Sequence, residues 1–352
     1  MQVLEVTSVP TTQKLKTGIL LVNLGTPDSP SVPDVRKYLR EFLMDGRVID
    51  IPTANRWALV NLIIAPFRAP KSAKVYQELW EERGSPLKFY GEDVKALLQQ
   101  RLGSDYVVEL AMRYQNPSIQ AGLDSFQKAG LRKIIVIPFF PQYASATTGS
   151  VYEKVMDIVG KWQVIPEISF TNTFFDHPKF VEFFAGAARK YMQEREYDFF
   201  LFSYHGVPER QILKGDATGT TCQLNNCCDR LHSGNQYCYR AQCFATTRLL
   251  VQELGLKEGT YATSFQSRLG KTPWIQPYTE DMVVKLAKEG KKNVLAFSPA
   301  FVADCLETTI EVGEEYKEVF EKNGGQHWQL VESLNNSPQY IDLLADLVEK
   351  QV

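Results

Sequence analysis

No apolar run in this chain reaches the length needed to span a bilayer. The formal net charge is only −2, which excludes the broad basic surface of a general nucleic-acid binder. The GTPDSP turn after the first apolar run lacks the glycine spacing of a dinucleotide or P-loop fingerprint, so no nucleotide is expected there. Residues 1–16 are mixed and polar, without the apolar core of a secretory signal, and a cytoplasmic location is expected. Cysteine is almost absent outside one segment: five of the six lie between Cys222 and Cys243, and Cys305 stands apart. So uneven a distribution in a large cytosolic-looking chain points to metal more than to disulfides.

What is present is an ordinary globular composition, 44% hydrophobic and 23% charged over 352 residues, long enough for two domains. Short apolar runs alternate with amphipathic stretches along the whole chain. That rhythm predicts an α/β fold of parallel strands with crossover helices. The two halves resemble each other. GILLVNLGTP and FFLFSYHGVP are both buried-strand runs closed by a Gly-x-Pro turn, and KIIVIPFFP and NVLAFSPAF both run from a strand into Pro and Phe. Two similarly wired units with a cleft between them are expected, and such clefts are usual ligand sites.

The chain is organised around residues 199–210, FFLFSYHGVPER. The apolar half reads as a strand buried on both faces. Gly206 and Pro208 end it, so His205 stands at its carboxyl end, where ligands collect in open α/β sheets. Downstream, Glu307, Glu311, Glu314, Glu318 and Glu321 step by four, three, four and three residues along a predicted long helix. An α-helix would set all five on one face, where like charges repel unless cations are near. His205 and Glu307 could bind a divalent cation or exchange protons. The apolar stretch 57–67, WALVNLIIAPF, reads either as a core helix or as a lip against an apolar ligand or a membrane surface, with Arg68, Lys71 and Lys74 behind it. The pattern C-x4-C-C-x9-C-x4-C suits an iron–sulfur cluster or zinc. Cys222, Cys227, Cys228, Cys238 and Cys243 are five candidates for four places. Adjacency argues against Cys227 and Cys228 both serving, and His232 reads as a surface residue more than a zinc ligand.

These stretches, with VRKYLREFLMDGRVID, RGSPL, RYQNPSI, PQYASATTGS, TSFQSRLGKTPW and FVADCLET, resemble bacterial ferrochelatases of the protoporphyrin type over nearly all the chain. The resemblance implies insertion of Fe²⁺ into protoporphyrin IX, the last step of protohaem synthesis. A chelatase for another metal or tetrapyrrole, or a non-catalytic haem or iron–sulfur sensor, is the alternative. It implies two Rossmann-like domains around a porphyrin cleft: residues 1–164, then 165–330 with the cysteine segment 222–243, the end of the chain (331–352) returning to the first. It maps the family's functional histidine onto His205, its glutamate onto Glu307 and a second acidic, metal-side position onto Glu311. Porphyrin contacts fall on Leu24, Tyr143 and Trp274. Where some relatives carry a histidine two residues before the glutamate, this chain has Cys305. Relatives that use coproporphyrin have a tyrosine where Leu24 stands, which favours protoporphyrin. Some members carry a cysteine-rich insertion that binds a [2Fe–2S] cluster, and the segment from Cys222 to Cys243 is similar to it. Protoporphyrin IX and Fe²⁺ are thus the expected partners, with room for peripheral membrane contact at the lip.

Overall fold

The computed structural model describes residues 16–352 apart from Leu269 and Lys271. The polar first fifteen residues, and those two positions of the SRLGKTPW stretch, lie outside the described residues. Among the described residues, eight strands form two four-stranded parallel sheets. The first contains β1 (Thr17–Gly25), β2 (Tyr106–Tyr114), β3 (Lys133–Pro138) and β4 (Glu167–Phe170), in the order β2-β1-β3-β4. The second contains β5 (Phe199–His205), β6 (Tyr261–Gln266), β7 (Asn293–Phe297) and β8 (His327–Leu330), in the order β6-β5-β7-β8. The wiring is identical, as the likeness of the two halves predicts.

Parallel strands need helices on both faces, and their sequences therefore lose the polar–apolar alternation. Ile19, Leu20, Leu21 and Val22 are fully buried, and so are Leu201, Phe202 and Tyr204. At ~1.5–3 kcal/mol per fully buried large side chain, these central strands anchor each half. The chain leaves β1 to one side and β3 returns on the other; β5 does the same. Each central strand thus ends at a topological switch point, the crevice where α/β sheets take ligands. Leu24 lies next to the last residue of one, and His205 ends the other.

β4 adds residues through Phe170 to the first sheet. Two expectations need correction. The strand expected from 164 starts only at Glu167, with Val164 and Ile165 exposed before it. The helix carrying the glutamate row is not a continuous α-helix: it winds as a π-helix over Leu306–Glu315 and becomes α only over Tyr316–Lys322. The final helix, Pro338–Glu349, packs near the first sheet. Tyr340 packs on Phe139, with ring centroids 5.6 Å apart, and Gln351 Nε2 donates to Thr171 Oγ1 at 2.7 Å.

Asp45 shows how the loops at the carboxyl ends are held. Its carboxylate accepts from Arg113 Nη2 at 2.6 Å, Tyr114 Oη at 2.9 Å, Ser150 Oγ and the Arg47 amide at 2.7 Å. Burial pulls the Asp45 carboxyl upward, but the Ser150 and Arg47 hydrogen bonds and the Arg113 charge outweigh it and hold it below the usual range. A depressed pKa stabilises the fold above the unfolded value and is lost as pH falls through the folded one. Asp45→Asn is therefore expected to cost ~3 kcal/mol at neutral pH. The gap between variant and wild type in urea unfolding closes as pH drops below the carboxylate range; a gap that widens in acid contradicts the assignment.

Candidate active site

The histidine is fixed by its own strand end. His205 closes β5 in register with Gln266 of β6. Its Nδ1 lies 2.6 Å from the Gly206 carbonyl oxygen. A carbonyl only accepts, so in the neutral ring Nδ1 carries the proton and Nε2 keeps its lone pair. Gly206 cannot be replaced cheaply: a Cβ there would sit 2.8 Å from the Gln266 carbonyl oxygen and 3.1 Å from the Trp274 ring. Trp274 and Phe301 flank the imidazole, both with centroids 6.4 Å away. Tyr239 Oη donates to the His205 carbonyl at 2.8 Å and anchors the backbone from behind.

Glu307 and Glu311 approach from the π-helix. Gln266 joins the two sides. Its Nε2 donates to the Glu307 carbonyl at 2.8 Å and to Glu311 Oε2 at 3.2 Å, its Oε1 accepts from Ser203 Oγ at 2.7 Å, and its carbonyl accepts the Gly206 amide at 2.8 Å. Ser267, held at φ 64°, turns both its amide (2.9 Å) and its hydroxyl onto Glu311, and Tyr316 Oη adds a bond of 2.8 Å. Both Glu311 oxygens thus accept hydrogen bonds. On the other side, the phenols of Tyr38 and Tyr76 are pushed well up, first by burial and then by neighbouring charge that includes Glu307. The wider π turn changes the acidic row. Glu315, not the expected Glu314, follows Glu311: its carboxyl is raised by burial, then by the charges of Glu311 and Glu318. Glu318 is paired with Lys322 at 2.9 Å.

Leu24 packs with Val60, Tyr76, Leu306 and Ile310, bringing the end of β1, the lip and the π-helix together. The stretch expected as a core helix or a lip is not wholly core. Val60 is buried, but Trp57, Leu62, Ile63 and Phe67 face outward, Phe67 at 74% exposure. The helix after His205, Glu209–Gly215, is clamped to the first half: Asp50 pairs with Arg210 at 2.5 Å and Lys214 at 2.6 Å. Tyr143 is brought not to His205 but to Tyr237, 6.2 Å between centroids, with its amide donating to Gln242 Oε1 at 2.7 Å.

The cysteine segment gathers four thiols. Cys222, Cys227, Cys228 and Cys238 line one cavity of about 270 Å³, whose wall includes Tyr143, Val207 and Tyr239. The adjacent pair, expected not to serve together, both face it, with sulfurs 3.9 Å apart. A hydrogen bond between Cys228 and Cys238 pulls the Cys238 thiol down and the Cys228 thiol up. Asp216 holds the entry by accepting the Thr221 and Cys222 amides at 2.8 and 2.7 Å. Cys243 is fully buried on the helix Tyr239–Leu254, and His232 is exposed outside the cavity. Among the described residues no three His, Cys, Asp or Glu side chains are set to hold a single metal ion. A [2Fe–2S] rhomb makes a different demand, two thiolates at each of two irons, and four thiols around one cavity fit it.

Gln266 and Ser267 are the residues that sequence reading missed. The only signal was an amide ending an otherwise apolar and hydroxyl-bearing strand, YATSFQ. Gln266→Leu removes three side-chain hydrogen bonds from a buried junction and is expected to cost ~1–3 kcal/mol. An unchanged denaturation midpoint would show that the junction carries no load.

The ferrochelatase family model matches residues 16–352. A ferrochelatase of Coxiella burnetii (strain Dugway 5J108-111) is 42% identical over 337 residues, covering 96% of this chain and 94% of the relative. One from Legionella pneumophila (strain Corby) is 43% identical over 338 residues, covering 96% and 100%. Among solved structures, SirB from Bacillus subtilis with Fe³⁺ shares the fold at a TM-score of 0.52 and 13% identity, covering 96% of this chain and 95% of that one. The chain belongs to the ferrochelatase family.

Proposed function

We propose that this ferrochelatase inserts Fe²⁺ into protoporphyrin IX with His205 and Glu307 working from opposite faces of the ring. The observation that carries the reading is the fixed imidazole: Nδ1 is committed to the Gly206 carbonyl, which leaves the Nε2 lone pair for chemistry. A flat porphyrin hides its four nitrogens and holds two N–H protons that must leave before iron is bound. Nε2 of His205 accepts a pyrrole proton or ligates the arriving iron. Glu307 serves the other face, and Glu311 and Glu315 extend its negative charge outward as a path for iron or protons. Glu311 must release one of its donors to take a cation directly. Trp274 and the lip grip the macrocycle, Tyr143 lies at the rim, and Leu24 offers an apolar surface to the vinyl groups that distinguish protoporphyrin from coproporphyrin.

The cysteine segment fits a [2Fe–2S] cluster, which when bound supplies a one-electron redox centre. The helix that starts at Tyr239 reaches both His205 and the Tyr143 loop, so the segment braces the site. The exposed lip, with Arg68, Lys71 and Lys74 beside it, suits a cytoplasmic enzyme that rests on an anionic bilayer surface. No helix among the described residues is long and apolar enough to cross a membrane.

Anaerobic mixing with protoporphyrin IX and Fe²⁺, followed by the porphyrin spectrum, is the test. His205→Ala and Glu307→Gln are each expected to lower kcat by ~10²–10⁴-fold, the usual contribution of a positioned acid or base. Porphyrin binding, read by fluorescence quenching, stays near wild type. Full turnover in either variant removes that residue from the mechanism. For the lip, the triple variant Leu62→Ser, Ile63→Ser, Phe67→Ser is expected to lose co-sedimentation with phosphatidylglycerol vesicles; equal sedimentation would discard the membrane reading.

A further inference from the structure

Five thiols compete for the four places of the cluster proposed above, and the following assignment rests on that reading. Four of the five line one cavity. Two thiolates on one tetrahedral iron, with bonds of about 2.3 Å, stand about 3.8 Å apart. The sulfurs of Cys227 and Cys228 already lie 3.9 Å apart, so this adjacent pair has the spacing of ligands to a single iron. Cys222 and Cys238 complete the set of four. Both face the same cavity, Cys222 in contact with Cys227, and Cys238 with Cys228. The loop that presents them is built rather than slack. Buried Asn235 donates to the Cys227 carbonyl at 2.8 Å and the Arg230 carbonyl at 2.9 Å, and Arg240 Nη1 donates to the Asn225 carbonyl at 2.9 Å.

Cys243 is set differently. It is fully buried in the core that contains Tyr204, Tyr239 and Phe265, and it does not line the cavity. Its backbone lies inside the helix that begins at Tyr239. The same helix carries the Tyr239 bond to His205 and the Gln242 bond to Tyr143, so any shift of its backbone toward the cavity would disturb both. We infer that Cys222, Cys227, Cys228 and Cys238 hold the [2Fe–2S] cluster, and that Cys243 is a packing residue of the core and not a ligand.

The full chain, purified without oxygen, is assayed for visible absorption, electron paramagnetic resonance after reduction, iron and acid-labile sulfide. Wild type is expected to carry iron and sulfide in equal amounts. Alanine at Cys222, Cys227, Cys228 or Cys238 abolishes both, whereas Cys243→Ala and Cys243→Thr keep both with an unchanged spectrum. Retention of the full cluster in any of the four alanine variants overturns the ligand set. So does its loss from both Cys243 variants while their circular dichroism remains native. A wild-type chain with iron or zinc but no acid-labile sulfide overturns the cluster reading itself.

Discussion

One hydrogen bond fixes the side chain proposed as the base of this ferrochelatase: the contact between His205 Nδ1 and the carbonyl of Gly206. It decides which ring nitrogen is free and which way it points. Everything near it serves to keep that bond in place. The strand end delivers the histidine, the glycine lets Trp274 and the Gln266 carbonyl approach, and Tyr239 holds the histidine's own carbonyl. A histidine with two free nitrogens would exchange tautomers and offer no defined base. Here the backbone makes the choice.

The second constraint is that, in the proposed reaction, the acidic side must stay aligned with that base. The π-helix supplies it in a way that an α-helix would not. Its wider turn puts Glu307, Glu311 and Glu315 in a row and leaves Glu314 aside. Gln266 then couples this row to β5 with one side chain and one carbonyl. The residue that terminates β6 therefore ties the backbone beside His205 to the backbone of Glu307. The cysteine segment is attached to the same frame, because the helix beginning at Tyr239 touches both His205 and the Tyr143 loop.

Much of this was legible in the residues. Strand ends marked by Gly-x-Pro at Gly25 and Gly206 announced two similar halves, and the observed strand orders agree. His205 was placed at a carboxyl strand end by its neighbours alone. What could not be read has physical causes. A glutamate row counted at α-helical spacing selects Glu314, because π winding leaves no periodic mark in so short a stretch. Ser267 adopts a positive φ that serine rarely takes, so nothing in its identity announced that it caps Glu311. Gln266 is one amide among many until a partner strand is laid beside it. The density of cysteines singled out the segment, but only the buried position of Cys243 separates it from the other four.

The most direct measurement is nitrogen NMR of the protein labelled with ¹⁵N-histidine, with the His205 signals assigned by their loss in His205→Gln. The account predicts that the neutral imidazole of His205 is protonated at Nδ1 and shows a lone-pair nitrogen at Nε2, and that added protoporphyrin shifts the Nε2 signal. A neutral ring protonated at Nε2 would contradict it, since the nitrogen assigned to the reaction would then hold a proton instead of a lone pair.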